Sequence, residues 1–101
     1  MKRKEIDYIR TGYRLGQLGL TWDEVLDLLA IAQLNRRAAA AWTRGNNSGN
    51  SEYLTHCEAV GDRAYARACK IAEPHSWKID ATGGLSWQIT ESAGKNIAIV
   101  D

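Results

Sequence analysis

Charge of one sign, long apolar runs, cysteine and proline are all scarce in this chain, and each scarcity excludes something. Thirteen Lys and Arg stand against twelve Asp and Glu, a net charge of +1. No global field therefore drives the chain toward nucleic acid, a membrane or an acidic substrate, and any attraction must come from local patches. No segment approaches the roughly 20 consecutive apolar residues that span a bilayer. The start, MKRKEIDYIR, is basic but lacks the apolar run and small-residue cleavage site of a secretory signal. A cytoplasmic protein with no membrane partner is expected. Cys57 and Cys69 fall in what reads as one helix, about 18 Å apart along its axis and too far for a disulfide. Two free thiols suit a reducing compartment.

What is present suits a single folded domain over residues 1–101, since 45% of the chain is hydrophobic and 25% charged. Ile6, Ile9, Tyr13 and Leu20 recur at roughly helical spacing and predict a first helix over about 4–17. Thr21 with Glu24 three residues on forms a capping-box pattern, and Asp23, Glu24 and Asp27 sit where a helix N-terminus favours anions. A second helix is therefore expected over about 22–44, carried by Val25, Leu26, Leu28, Leu29, Ile31, Ala32 and Leu34, which cover more than one side of it, and then by a tetra-alanine. GNNSGN, residues 45–50, collects helix-ending residues. Ser51 then caps a third helix over about 51–73, which the only proline, Pro74, stops. Its expected inward positions, Leu54, Cys57, Gly61, Ala64, Ala68 and Ile71, form a stripe of small residues, and Gly12 and Gly16 offer a flat surface to meet it.

Beyond Pro74 the period changes to alternation through Trp77, Ile79, Leu85, Trp87, Ile89, Ile97 and Ile99, which predicts strands over about 76–80, 84–91 and 95–100. A three-residue loop, Ala81-Thr82-Gly83, pairs Ile79 with Leu85 and Trp77 with Trp87. A second, Ser92-Ala93-Gly94, pairs Glu91 with Lys95, Ile89 with Ile97 and Trp87 with Ile99. The expected fold class is α+β: three helices followed by a three-stranded antiparallel meander packed on them.

Most residue patterns that carry chemistry are missing from this chain. Gly83-Gly84 opens no helix and is followed by no Lys-Ser or Lys-Thr, so it lacks the parts of a phosphate loop. His56, Cys57, Cys69 and His75 are ligand types without ligand spacing, since adjacent helical residues diverge by about 100°. Cys57 falls on the packing stripe rather than in the electropositive, open setting of a nucleophile. No catalytic residue, cofactor or metal is assigned, and an enzyme is not expected. The basic residues are the exception. Arg63, Arg67 and Lys70 make one ridge at i, i+4 and i+7, partly offset by Asp62 and Glu73, while Arg36, Arg37 and Arg44 crowd the end of the second helix. These six are the candidate partner-binding residues. A helix-turn-helix is excluded because Thr21 to Arg44 reads as uninterrupted helix.

The run LTWDEVLDLLAIAQLNRRAAAAW, a break, DRAYARACKIA and then WKIDATGGLSWQI resembles, over about residues 20–89, the layout of small phage and prophage proteins of uncharacterised function. An Asp-Pro-Arg-Gly turn associated with some of them stands here as Asp80-Ala81-Thr82-Gly83, keeping only its ends. The resemblance implies a mobile-element protein acting in a bacterial cytoplasm, with no catalytic residues carried over. Proteins of that setting often bind and block a host machine, CRISPR interference complexes among them. The expected function is thus a non-enzymatic interaction protein that inhibits a host protein or ribonucleoprotein complex. The alternative is a small nucleic-acid-binding or regulatory protein that uses the basic helix faces. An exposed sheet edge or the alanine-rich helix end also offers a route to a homodimer.

Overall fold

The computed structural model describes residues 19–81 and 85–101. The helix expected over 4–17, with Gly12 and Gly16, lies outside the described residues, as does the Gly83-Gly84 pair. Within them the chain is α+β: two helices, α1 (Trp22–Asn47) and α2 (Ser51–Ala72), lead through a single 3-10 turn, Glu73–His75, into an antiparallel sheet of β1 (Trp77–Asp80), β2 (Trp87–Glu91) and β3 (Asn96–Val100). Among the described residues no helix is long and apolar enough to cross a membrane.

The start of α1 is the expected capping box. Thr21 Oγ1 accepts from the Glu24 amide at 3.2 Å, and Glu24 Oε1 accepts from the Thr21 amide at 2.8 Å. Two amides that the helix itself leaves unbonded are thereby satisfied. The far end departs from the expectation, because α1 runs three residues past Arg44. Gly45 is not a stop but a buried helical residue on which α2 rests: a Cβ there would lie 2.8 Å from Cys57 Cβ and 3.3 Å from Leu54 Cα. The reversal falls instead at Ser48, whose hydroxyl donates to the Gly45 carbonyl at 2.8 Å, and at Gly49, which takes the left-handed conformation at φ +67°. Asn50, not Ser51, caps α2; its side-chain oxygen accepts from the Tyr53 amide at 3.0 Å.

The small-residue stripe of α2 is real, and among the described residues it packs on α1. Cys57, Gly61, Ala64, Ala68 and Ala72 are buried, whereas Leu54 and Ile71, also expected inward, are only half-buried. Gly61 marks the closest approach, for the Trp42 indole lies directly over it and an added Cβ would sit 2.5 Å from Cε2. Two contacts thus interlock the pair: α2 side chains over Gly45, and an α1 side chain over Gly61.

The sheet lies against one side of this pair. Trp87, Leu28, Ile31, Ile89, Ile97 and Val100 are its fully buried large apolar side chains. Tyr65 joins the layers: its ring lies 5.4 Å from that of Trp87, and its hydroxyl donates to the Ile79 carbonyl at 2.8 Å. At the opposite end of the pair, His75 stacks on Trp77 at 4.2 Å, and its Nε2 lies 2.5 Å from Asp27 Oδ2, which ties the exit of α2 to the start of α1.

Strand register corrects the sequence expectation in two places. Ile79 pairs with Ile89 and Trp77 with Glu91, four residues from the expected register, so Trp77 and Trp87 are not cross-strand neighbours. An even shift leaves every side chain on its face, and both tryptophans are buried, at 6% and 0% exposure. The alternating pattern is therefore satisfied by either register. Contacts from elsewhere decide between them: Asn35 Nδ2 donates to the Leu85 carbonyl at 2.8 Å, with Leu85 outside the sheet, and the Ser92 amide and hydroxyl both donate to the Ser76 carbonyl at 2.9 Å.

The second hairpin does use the Ser92-Ala93-Gly94 loop. The Glu91 amide donates to the Lys95 carbonyl and the Gly94 amide to the Glu91 carbonyl, both at 2.8 Å, with Gly94 at φ +94°. Beyond it a bulge intervenes, since Thr90 pairs with Asn96 but Ile89 with Ala98, which leaves Ile97 as an extra residue. Ile97 and Ala98 are consequently both buried, and Val100 rather than Ile99 faces Trp87.

Candidate anion-binding face

Two sequence-separated basic clusters meet in the fold. Arg37 of α1 and Arg63 and Arg67 of α2 line one groove of about 310 Å³ between the helices, with Val60 and Ala64 as its apolar lining. Their direction follows from helix geometry. Arg67 lies two residues, about 200°, beyond Tyr65, which contacts β1, and Arg37 lies two residues beyond Asn35, which contacts Leu85. Each arginine is therefore turned away from the sheet, onto the outer face of the helical layer.

No carboxylate pairs with Arg37, Arg63 or Arg67 among the described residues. The offset expected from Asp62 and Glu73 is not realised as ion pairs with the ridge, although both are exposed. Arg44 stands seven residues beyond Arg37, and Lys70 seven beyond Arg63, so each prolongs its row by about 10 Å. Neither lines the groove, but both are exposed. Arg36 diverges from Arg37 by about 100° and lies outside the groove lining. Of the six residues expected to bind a partner, three converge, two extend the same face and one does not share it.

The other candidates stay apart. Cys57 is buried at the α1 contact and Cys69 is exposed, and no three His, Cys, Asp or Glu side chains are arranged to hold a metal ion among the described residues. The shifted ionisations lie away from the groove. Glu24 is held below the ordinary carboxylate range chiefly by the Thr21 amide, and burial pushes the Tyr65 phenol up, helped by Cys69. Asn35 was missed by the sequence reasoning. It is 1% exposed, and its Oδ1, like Trp87 Nε1, has no hydrogen-bond partner among the described residues. Its place at helical spacing from Leu28, Ile31 and Ala32 is the signal that could have found it.

Comparison with protein-family models, with curated proteins and with solved structures finds no match for this chain. The site's own geometry is therefore what bears on function.

Proposed function

We propose that this chain is a non-enzymatic binding protein that docks a polyanionic partner on the outer face of α1 and α2; the phosphate surface of a ribonucleoprotein is one such partner. The observation that carries the proposal is the convergence of Arg37, Arg63 and Arg67 on one groove without a carboxylate among them. Guanidinium groups present planar forks of donors suited to phosphate and carboxylate oxygens. Their crowding also carries a cost. At the ~6 Å spacing of one helical turn, two unit charges repel by about 0.7 kcal/mol at the dielectric constant of water and by ~3 kcal/mol at the effective value near a protein surface. The buried contacts of α1 and α2 are supplied by Trp42, Gly45, Cys57, Gly61 and Ala64, so the charged heads of the arginines are not what packs the helices. An anion relieves the crowding.

Heparin affinity chromatography tests the proposal. Arg37→Gln/Arg63→Gln/Arg67→Gln should elute at clearly lower salt than wild type. A control triple, Lys2→Gln/Lys78→Gln/Lys95→Gln, brings the net charge to the same value, +1 less three, yet should elute close to wild type. Equal elution of the two triples would show that only net charge matters and would sink the assignment of this face.

A further inference from the structure

Tyr53, Val60 and Arg67 recur at intervals of seven residues, and so do His56, Arg63 and Lys70, so two adjoining rows run along one face of α2. Each row begins with an aromatic ring and ends on a cation. Tyr53 is 42% exposed, His56 is exposed as well, and their ring centroids lie 6.4 Å apart at an interplanar angle of 32°. A Tyr side chain held open at the surface forgoes burial of a large apolar ring, and among the described residues this one makes no side-chain hydrogen bond that would account for it.

We propose that this face binds single-stranded nucleic acid, with Arg37, Arg63 and Arg67 holding backbone phosphates and Tyr53 and His56 stacking unpaired bases. The inference rests on the polyanion-binding role above and names its partner. A positive groove that follows the backbone, continued by rings that receive bases, is the combination by which single strands are bound irrespective of sequence. A duplex keeps its base faces stacked internally and offers the rings nothing. An acidic protein surface would use the arginines but lacks the regular succession of phosphate and stackable base that a single strand carries along its length. From Tyr53 to Arg67 the rows span about 21 Å at 1.5 Å per residue. At ~3.4 Å per stacked nucleotide this corresponds to roughly six nucleotides. DNA and RNA share the phosphate and base chemistry in question, so both are probes.

The test uses the full chain with fluorescein-labelled 12-nucleotide oligothymidine and oligouridine, a labelled 12-base-pair duplex, and polyglutamate as competitor, over a range of salt. At least one single strand should bind more tightly than the duplex. The slope of log affinity against log salt should be about −2 for three phosphates, and most of it should vanish in Arg37→Gln/Arg63→Gln/Arg67→Gln. Tyr53→Ala should weaken binding roughly 5- to 150-fold, while Tyr53→Phe, which keeps the ring, should bind like wild type. Circular dichroism shows whether each variant retains its helices; because Tyr53 is exposed and only its amide is capped, Tyr53→Ala should. Duplex binding as tight as single-strand binding, wild-type affinity in a folded Tyr53→Ala, or full displacement by polyglutamate of equal charge would each overturn this inference while leaving the polyanion role standing. Failure to bind any polyanion would remove both.

Discussion

Replacing Gly61 with alanine adds one methyl group to the middle of a helix, where propensity alone favours the change by about 1 kcal/mol. The structure gives the opposite sign. The added Cβ would lie 2.5 Å from Trp42 Cε2, far inside van der Waals contact, and the atoms in its way belong to a rigid indole rather than to the end of a flexible chain. Overpacking of this kind costs typically 1–3 kcal/mol, and contact so close belongs in the upper part of that range. After the propensity gain, Gly61→Ala should be destabilised by about 1–2 kcal/mol. For a domain of this size that lowers Tm by roughly 5–15 °C. Urea denaturation followed by tryptophan fluorescence measures it, and a second substitution identifies the cause. If the indole is the obstacle, Gly61→Ala should cost little in a Trp42→Leu background, giving a coupling energy of about 1–2 kcal/mol in the double-mutant cycle. A Gly61→Ala variant as stable as wild type or more so would refute the interlock, and so would additive single and double changes.

The capping box gives a pH-dependent prediction. The Thr21 amide holds the Glu24 pKa below its ordinary value of 4.5, so its contribution to stability is complete above that value and is lost as pH falls through the lowered folded-state pKa. A Glu24→Gln variant should therefore lack one increment of the acid-induced loss seen in wild type, as measured by urea midpoints at several pH values below neutrality. Thr21→Ala should cost about 1 kcal/mol by the same assay at neutral pH, the usual effect of removing an N-cap hydroxyl. Tyr65→Phe removes the donor to the Ile79 carbonyl while keeping the ring against Trp87, and a loss of about 1 kcal/mol is expected; no loss would mean that this hydrogen bond joins nothing. Asn35→Ala deletes the tie to the Leu85 carbonyl, and amide exchange in β1 and at the start of β2 should quicken more than in α2.

Features whose causes lie within a few residues were legible in the sequence. Thr21 and Glu24 announced their helix, Pro74 ended another, and Ser92-Ala93-Gly94 named its turn, because each acts on its own backbone neighbourhood. Features decided across the fold were not. Gly45 reads as a helix stop until Leu54 and Cys57 are seen resting on it. The β1–β2 register is degenerate to the alternating pattern, and Asn35, 50 residues before Leu85 in the chain, helps to decide it. The extra residue at Ile97 leaves no mark in composition, because isoleucine suits either face of a strand. For the candidate site, the six basic residues and their two clusters were legible, but their meeting was not. Arg37 joins Arg63 and Arg67 only because α1 and α2 pack antiparallel at one particular height.

At the middle of the pair that height is set by two contacts between uncharged residues. Trp42 over Gly61 and Cys57 over Gly45 act as two pegs in two sockets, and sliding one helix past the other by a single turn, about 5.4 Å, would unseat both. The same slide would carry Arg37 out of the groove it shares with α2. The charged face thus owes its geometry to residues that never touch it. The converse also holds: the side chains at 37, 63 and 67 can be exchanged for others without disturbing the pegs, so the helix pair is a rigid frame on which a different recognition surface can be written.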